Sequence, residues 1–280
     1  MSGLFSAEVL LEAQQVTYEK YIAQFEAHKV QLITEFVDEL GLYEGVNVYN
    51  PWSDVDLNYD NSLEASRWRR QNFITYALPR LGRANTFVVA EAVGYQGGRY
   101  SGIAITCERM LLGLHSTVDA NQLAEIPLWR TSSQMSEHIK SIQREKGFNE
   151  PTDTVVWNAI IENGINPYDI FLWNIFPFHP YKSGEPMTNR TPTDEEQQLG
   201  WEYTKKLLDL NAILGGGDRP LILAVGQKSA DTMGKFGIIP LALRHPANGG
   251  ANKYREGFKE AMNIRQNLLL EQHGLGEIIN

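Results

Sequence analysis

Between Ser6 and Leu40 the apolar residues Val9, Leu10, Ala13, Val16, Tyr21, Ile22, Phe25, Leu32, Ile33, Phe36, Val37 and Leu40 recur at spacings near three and four, and Gly41 is placed to end the run. That period predicts a long amphipathic helix or a helical pair with one packed and one solvated face, rather than a coiled coil or a membrane helix. The stretch "NVYNPWSDVDLNYDN", residues 47–61, carries no period and is rich in Asn and Asp, so it predicts a loop. A second helix is predicted over about residues 63–78.

Four short apolar runs follow, each bounded by turn or helix signals: "TFVVA" at 86–90, "DIFLWN" at 169–174, "PLILAVG" at 220–226 and "IIPLALR" at 238–244. Continuous apolar runs of this length predict strands buried on both faces. The first three are separated by segments long enough for helical crossovers, among them 193–214, preceded and opened by the acidic "TPTDEEQQ". The expected fold is therefore α/β: a central four-stranded, mainly parallel sheet flanked by helices. Residues 1–45 read as an N-terminal helical extension packed on a core domain of residues 46–280. In such sheets ligands bind in the crevice beyond the carboxyl ends of the strands. The unusual residues fall there: Glu91 with the glycine-rich "AVGYQGGRYSG", then "WNIFPFHPYKSGEPMTNR", then "RHPANGG".

Composition narrows the chemistry. A chain of 280 residues, 42% hydrophobic, can bury a large core as one domain or one domain with an added segment. It has no run near the roughly 20 apolar residues of a membrane span, and its first residues lack the features of a leader, so a cytoplasmic protein with no membrane partner is expected. A single cysteine, Cys107, excludes an internal disulfide, a four-cysteine zinc site and a four-cysteine iron–sulfur cluster within one chain. His115, His138, His179 and His245 are scattered without ligand spacing, so no metal is expected. The 34 acids against 25 bases, net −9, argue against loose charge-driven binding of nucleic acid while leaving room for a local basic groove.

Common motifs fail on spacing. "GYQGGRYSG" is not the G-x-G-x-x-G of a dinucleotide site, and "GQKS" lacks the glycine before Lys228 that a phosphate loop requires. No G-x-S-x-G elbow is present.

What remains is three ordered motifs, "AEAVGYQGGRYSGIAIT", "LWNIFPFHP" with "NRTPTDEE", and "LRHPANGG". Together they resemble those of the uracil-DNA glycosylase superfamily: a G-E-A-P-G-type loop, an Asn at the end of the second strand, and an H-P-S-type loop near the C-terminus. "NVYNPW" and "RWRRQNFITYAL" are similar to the lead-in of a bacterial branch without iron–sulfur cysteines, so the resemblance spans about residues 46–262.

The resemblance implies a monofunctional DNA glycosylase that flips a pyrimidine nucleotide out of DNA and hydrolyses its N-glycosidic bond with water alone, without a cofactor. It assigns the catalytic roles to Glu91, beside the sugar, and His245, as donor to O2 of the leaving base. This suits the chemistry, because the sugar becomes cationic and the base anionic as the bond breaks. Asn174 would meet the base edge, reading uracil in one amide orientation and cytosine in the other. Ala247, Asn248 and Gly249 would form the loop inserted beside the duplex, and Arg190, Arg244, Lys253 and Arg255 are candidate phosphate contacts. Trp157, Trp173, Phe176 and Phe178 read as core rather than base-stacking aromatics. A monomer is expected.

Departures from the family pattern bear on substrate. The loop reads A-E-A-V-G, so Val93 replaces a stiffening proline, and Ala92 leaves Glu91 as the only acid in the motif. Ile105 stands where the family usually stacks a phenylalanine on the base, and Gly94, before Tyr95, falls where the classical enzymes place a tyrosine that collides with substituents at C5. Val93, Gly94, Tyr95 and Ile105 are thus expected beside the base. An open C5 side favours a modified pyrimidine, such as the glucosylated hydroxymethylcytosine of phage DNA, excised in antiviral defence. The alternatives are a uracil-excising repair enzyme and an inactive module that binds modified or damaged DNA.

Overall fold

The computed structural model describes residues 7–217 and 219–272. Ser6, where the first helix was expected to begin, and the outermost ends of the two expected segments lie outside them. The apolar N-terminal run forms a helical pair, α1 (Ala7–Ile22) and α2 (Ala27–Leu40), and α2 ends at Gly41 as its spacing predicts. The buried face of α2 is Ile33, Phe36, Val37 and Leu40, at intervals of three, one and three. Phe36 lies against Phe73 and Trp173 at centroid distances of 6.1 and 5.9 Å, so α2 shares the core of the sheet.

Residues 47–61 are not wholly irregular. Val48–Tyr49 forms a short strand, β1, which pairs antiparallel with β4 (His179–Pro180). Such a two-residue strand has no alternation to detect, and its partner lies 130 positions away. The loop is then locked by a buried ion pair: Arg69 Nη1 meets Asp60 Oδ1 at 2.9 Å, and the Tyr49 hydroxyl donates to Asp60 Oδ2 at 2.7 Å. Arg69 is carried on α3 (Ala65–Ala77), which follows the predicted helix within two residues at each end.

The main sheet has four strands in the order β3 (Ile170–Phe176), β2 (Thr86–Ala92), β5 (Leu221–Val225), β6 (Leu241–Leu243), all parallel. Every residue of β3 and the first five of β2 are buried, the expected signature of strands covered on both faces. The fourth strand is shorter than its apolar run, because Gly237–Pro240 turns into it and Pro240 lacks the donor for the ladder. Between β2 and β3 run the short helices α4 (Gly98–Ser101), α5 (Glu108–Leu111) and α6 (Ser141–Lys146), then α7 (Pro151–Glu162). The crossover from β3 to β5 is α8 (Asp194–Gly215), and β5 leads through α9 (Gln227–Lys235) to β6. The loop after β6 opens α10 (Ala251–Gln272).

α8 starts where its sequence says it should. Thr193 accepts from the Glu196 backbone N–H while the Glu196 carboxylate accepts from that of Thr193 at 2.8 Å, a reciprocal capping box. Gly200 sits in the second turn, where a Cβ would fall 2.3 Å from the carbonyl oxygen of Ile175, so glycine is what lets this helix lie on β3. Trp157, Trp173, Phe176 and Phe178 are all buried core side chains.

Candidate active site

The parallel register sets the site. Ala90 of β2 is paired with Asn174 of β3, so Glu91 and Asn174 reach the same carboxyl edge of adjacent strands. His245 arrives from the loop after β6. All three line one cavity of about 190 Å³, together with Val93, Gly94, Gly97, Gly98, Ile105, Glu150, Thr152, Asp153, Asn189 and Arg190.

Glu91 is half-buried, and its Oε1 is buried without a hydrogen-bond partner. Burial pushes its carboxyl above the usual range, an effect the Lys228 ammonium partly offsets. Lys228 itself donates to Thr191 Oγ1 at 2.8 Å, so the charge is tethered at this end of the sheet.

His245 is held as a neutral donor. Its Nδ1 accepts the backbone N–H of Ala247 at 3.1 Å, which places the ring proton on Nε2. Burial, reinforced by the neighbouring Arg244 guanidinium, depresses its basicity, so the ring stays uncharged at neutral pH. Two glycines make room for it: a Cβ on Gly226, whose φ is +90°, would lie 3.1 Å from the His245 Cβ, and one on Gly250 would lie 2.0 Å from the His245 carbonyl oxygen.

Asn174, 3% exposed, donates from Nδ2 to the Ala92 carbonyl oxygen at 3.0 Å, and its Oδ1 is buried and unpartnered. A carbonyl can only accept, so the amide orientation is fixed. This corrects the expectation that Asn174 reads either pyrimidine by turning over: it presents an acceptor to the cavity.

Ile105 forms an aliphatic wall, and its φ of +51° is a left-handed conformation that β-branched residues rarely adopt. The Ile105 carbonyl oxygen accepts from Trp157 Nε1 at 3.1 Å, one of the contacts holding the turn against strain of about 1–3 kcal/mol. Val93 and Gly94 line the cavity as expected. Tyr95 is outside its lining: its backbone N–H donates to Asn189 Oδ1 at 3.1 Å and its hydroxyl accepts from Gln96.

Arg190 lines the cavity, but its donors are spent within the chain. It clasps both Glu196 oxygens at 2.6 Å and donates to the carbonyl oxygens of Tyr181, Thr191 and Asn47, bracing the start of α8 rather than facing a phosphate. Arg255 is likewise drawn to Glu162, at 3.5 Å. Arg244 and Lys253 are exposed, their side chains make no ion pair or hydrogen bond among the described residues, and Ala247, Asn248 and Gly249 form an exposed turn between them. Asn248 and Gly249 take φ of +53° and +74°.

Four residues that pattern reading missed complete the site. Glu150, Thr152 and Asp153 come from the start of α7, and Asn189 from the loop after β4. "EPTD" signals only a helix start, with Pro151 in the first turn; tertiary packing alone carries it to the glycine loop. His179, dismissed as a ligand, is buried with Nδ1 3.0 Å from the Val93 carbonyl oxygen and Nε2 3.1 Å from that of Pro186. It ties the glycine loop to β4, and burial, with Arg99 nearby, lowers its pKa to about 4. Among the described residues no group of three or more His, Cys, Asp or Glu side chains is placed to hold a metal ion.

No family model and no curated protein matches the chain. Among solved structures, the crystal structure of wild-type Pedobacter heparinus SMUG2, a member of the uracil-DNA glycosylase superfamily, superposes with a TM-score of 0.58. The match covers 85% of this chain and 98% of that one at 14% identity. At this identity the match shows that the two chains share a fold.

Proposed function

We propose that this protein is a monofunctional DNA glycosylase that removes a modified pyrimidine, such as glucosylated hydroxymethylcytosine of phage DNA, as an antiviral defence. The observation that carries the hydrolytic reading is His245: a neutral imidazole whose Nε2–H is fixed as donor, in one cavity with the half-buried carboxylate of Glu91. A neutral donor is what a departing base anion requires at O2, since it stabilises the developing charge without first having to lose its own.

In the proposed reaction the target nucleotide is flipped into the cavity and its base packs on Ile105. The bond between the anomeric carbon and the base nitrogen breaks, and the electron pair leaves with the base towards His245 Nε2–H. Glu91, as carboxylate, faces the cationic sugar and orients the attacking water, whose oxygen bonds to the anomeric carbon while its proton is released. The products are an abasic site and the free base. Arg244, Lys253 and the turn of Ala247, Asn248 and Gly249 present the basic, close-approaching surface for DNA.

Uracil excision is the second reading, supported by Asn174: its free Oδ1 would accept the N3–H of uracil as readily as the amino group of a cytosine. The experiment is incubation with oligonucleotides carrying uracil or glucosylated hydroxymethylcytosine, scored as alkali-labile abasic sites. Release of the modified base supports the defence reading; efficient uracil release with the modified base untouched overturns it. Binding without release of any base marks a binding module.

A further inference from the structure

Three acceptor atoms around the cavity are buried and unpartnered: Glu91 Oε1, Asn174 Oδ1 and Asp153 Oδ2. The first two belong to the reaction described above, whereas Asp153 does not. Asp153 is 4% exposed, in the first turn of α7, and its Oδ2 lies 2.7 Å from the point a Cβ on Gly97 would occupy. Any side chain at 97 would displace it. Glu150, which precedes α7, brings Oε2 to 3.5 Å from the corresponding point on Gly94, and Asn189 Nδ2 stands 3.9 Å from that point. The Asn189 amide is oriented, because its Oδ1 already accepts from the Tyr95 backbone N–H.

Helix stability does not call for this arrangement. A single acid in the first turn satisfies the helix dipole, whereas two carboxyls together, one of them fully buried, cost free energy unless something pairs with them. The nearby guanidinium of Arg190 is already committed to Glu196.

We propose that Glu150, Asp153 and Asn189 form a polar subsite beside Gly94 that receives the hydroxyl groups of a substituent carried by the flipped base. This inference rests on the base-excision reading and names the residues that would choose among its substrates. A hydroxyl both donates and accepts, so it can pair with a carboxylate oxygen and with an amide N–H at once. Burial, with the Glu150 carboxylate alongside, holds the Asp153 carboxyl well above the usual range, which favours its pairing with a neutral hydroxyl over a second charge. A methyl in the same place would leave these groups desolvated and unpaired.

The test is release of 5-methylcytosine, 5-hydroxymethylcytosine and its glucosylated form from otherwise identical oligonucleotides, by the wild type and by Asn189→Ala and Asp153→Ala. The wild type is expected to favour the hydroxyl-bearing bases. Each substitution is expected to lower the ratio of kcat/KM for a hydroxyl-bearing base over 5-methylcytosine by about tenfold or more, mainly through KM. A defect of packing would slow all bases alike and leave the ratio unchanged. Asn189 is exposed, so its variant decides the matter even if the buried Asp153→Ala fails to fold. Base release with the ratio intact in Asn189→Ala overturns the subsite alone. Failure of the wild type to release these bases or uracil overturns the base-excision reading, and the subsite with it.

Discussion

At the scale of single residues the proposed reaction rests on two groups of opposite duty, Glu91 and His245. Glu91→Gln keeps shape and removes charge, and His245→Ala removes the donor; each is expected to slow base release about 100-fold or more in single-turnover assays, with the fold intact by circular dichroism. The pH profile follows from Glu91. On the proposed reaction its active form is the carboxylate, and burial raises its pKa, so activity should fall as pH drops through a midpoint above that of an ordinary carboxylate. Glu91→Gln should abolish that limb. On the same reading His245 acts uncharged, so its protonation would add an acid-side loss only below the ordinary imidazole range. Glu91, Asn174, Ile105 and His245, singled out in the sequence by their place in three ordered motifs, are brought together around one cavity. The fixed orientation of Asn174 was not legible there, since it depends on the Ala92 carbonyl of the neighbouring strand, set by register rather than by local sequence.

Among elements, α7 carries a measurable conflict. The folded-state pKa of Asp153 is raised above its unfolded value, so the folded chain binds more protons and stability declines as pH rises from the unfolded to the folded pKa. Asp153→Asn removes this loss: it should raise the melting temperature by a few degrees at pH 7–8, a gain that vanishes below about pH 4, where the acid is protonated in both states. Equal melting curves at both pH values would contradict the claim. At α8, Thr193→Ala should cost about 1 kcal/mol in denaturant unfolding by opening the capping box. That cap is fully local, which explains why the helix was readable from "TPTDEEQQ". The start of α7 was equally local as a helix signal, yet its chemical meaning came from packing on Gly94 and Gly97, contacts across more than 50 positions.

For the whole molecule, the four-stranded parallel sheet was legible in four apolar runs, its strand order was not, and the small β1–β4 pair depends on a contact too short to leave a pattern. The net charge of −9 also gains meaning from the structure. With Arg190 and Arg255 drawn into internal pairs, Arg244 and Lys253 are the exposed cations flanking the turn after His245. DNA affinity should therefore fall only shallowly with salt, and neutralising Lys253 should reduce the slope of log affinity against log salt by about 0.7–0.9. Fluorescence anisotropy over a salt series checks this; an unchanged slope would place the phosphate path elsewhere.

Gly94 has a consequence for how such a protein changes over generations. The nearest atom to a methyl added there is 3.5 Å away, an ordinary contact, and its backbone is free of the left-handed strain that holds other glycines in place. Alanine at 94 would thus fold normally and only narrow the mouth of the cavity. One nucleotide change in a glycine codon is enough to make it and another to reverse it. On the proposed function, the breadth of bases admitted would accordingly be an adjustable trait, separable from both the fold and the hydrolytic residues, and a lineage could alter its diet without first becoming unstable.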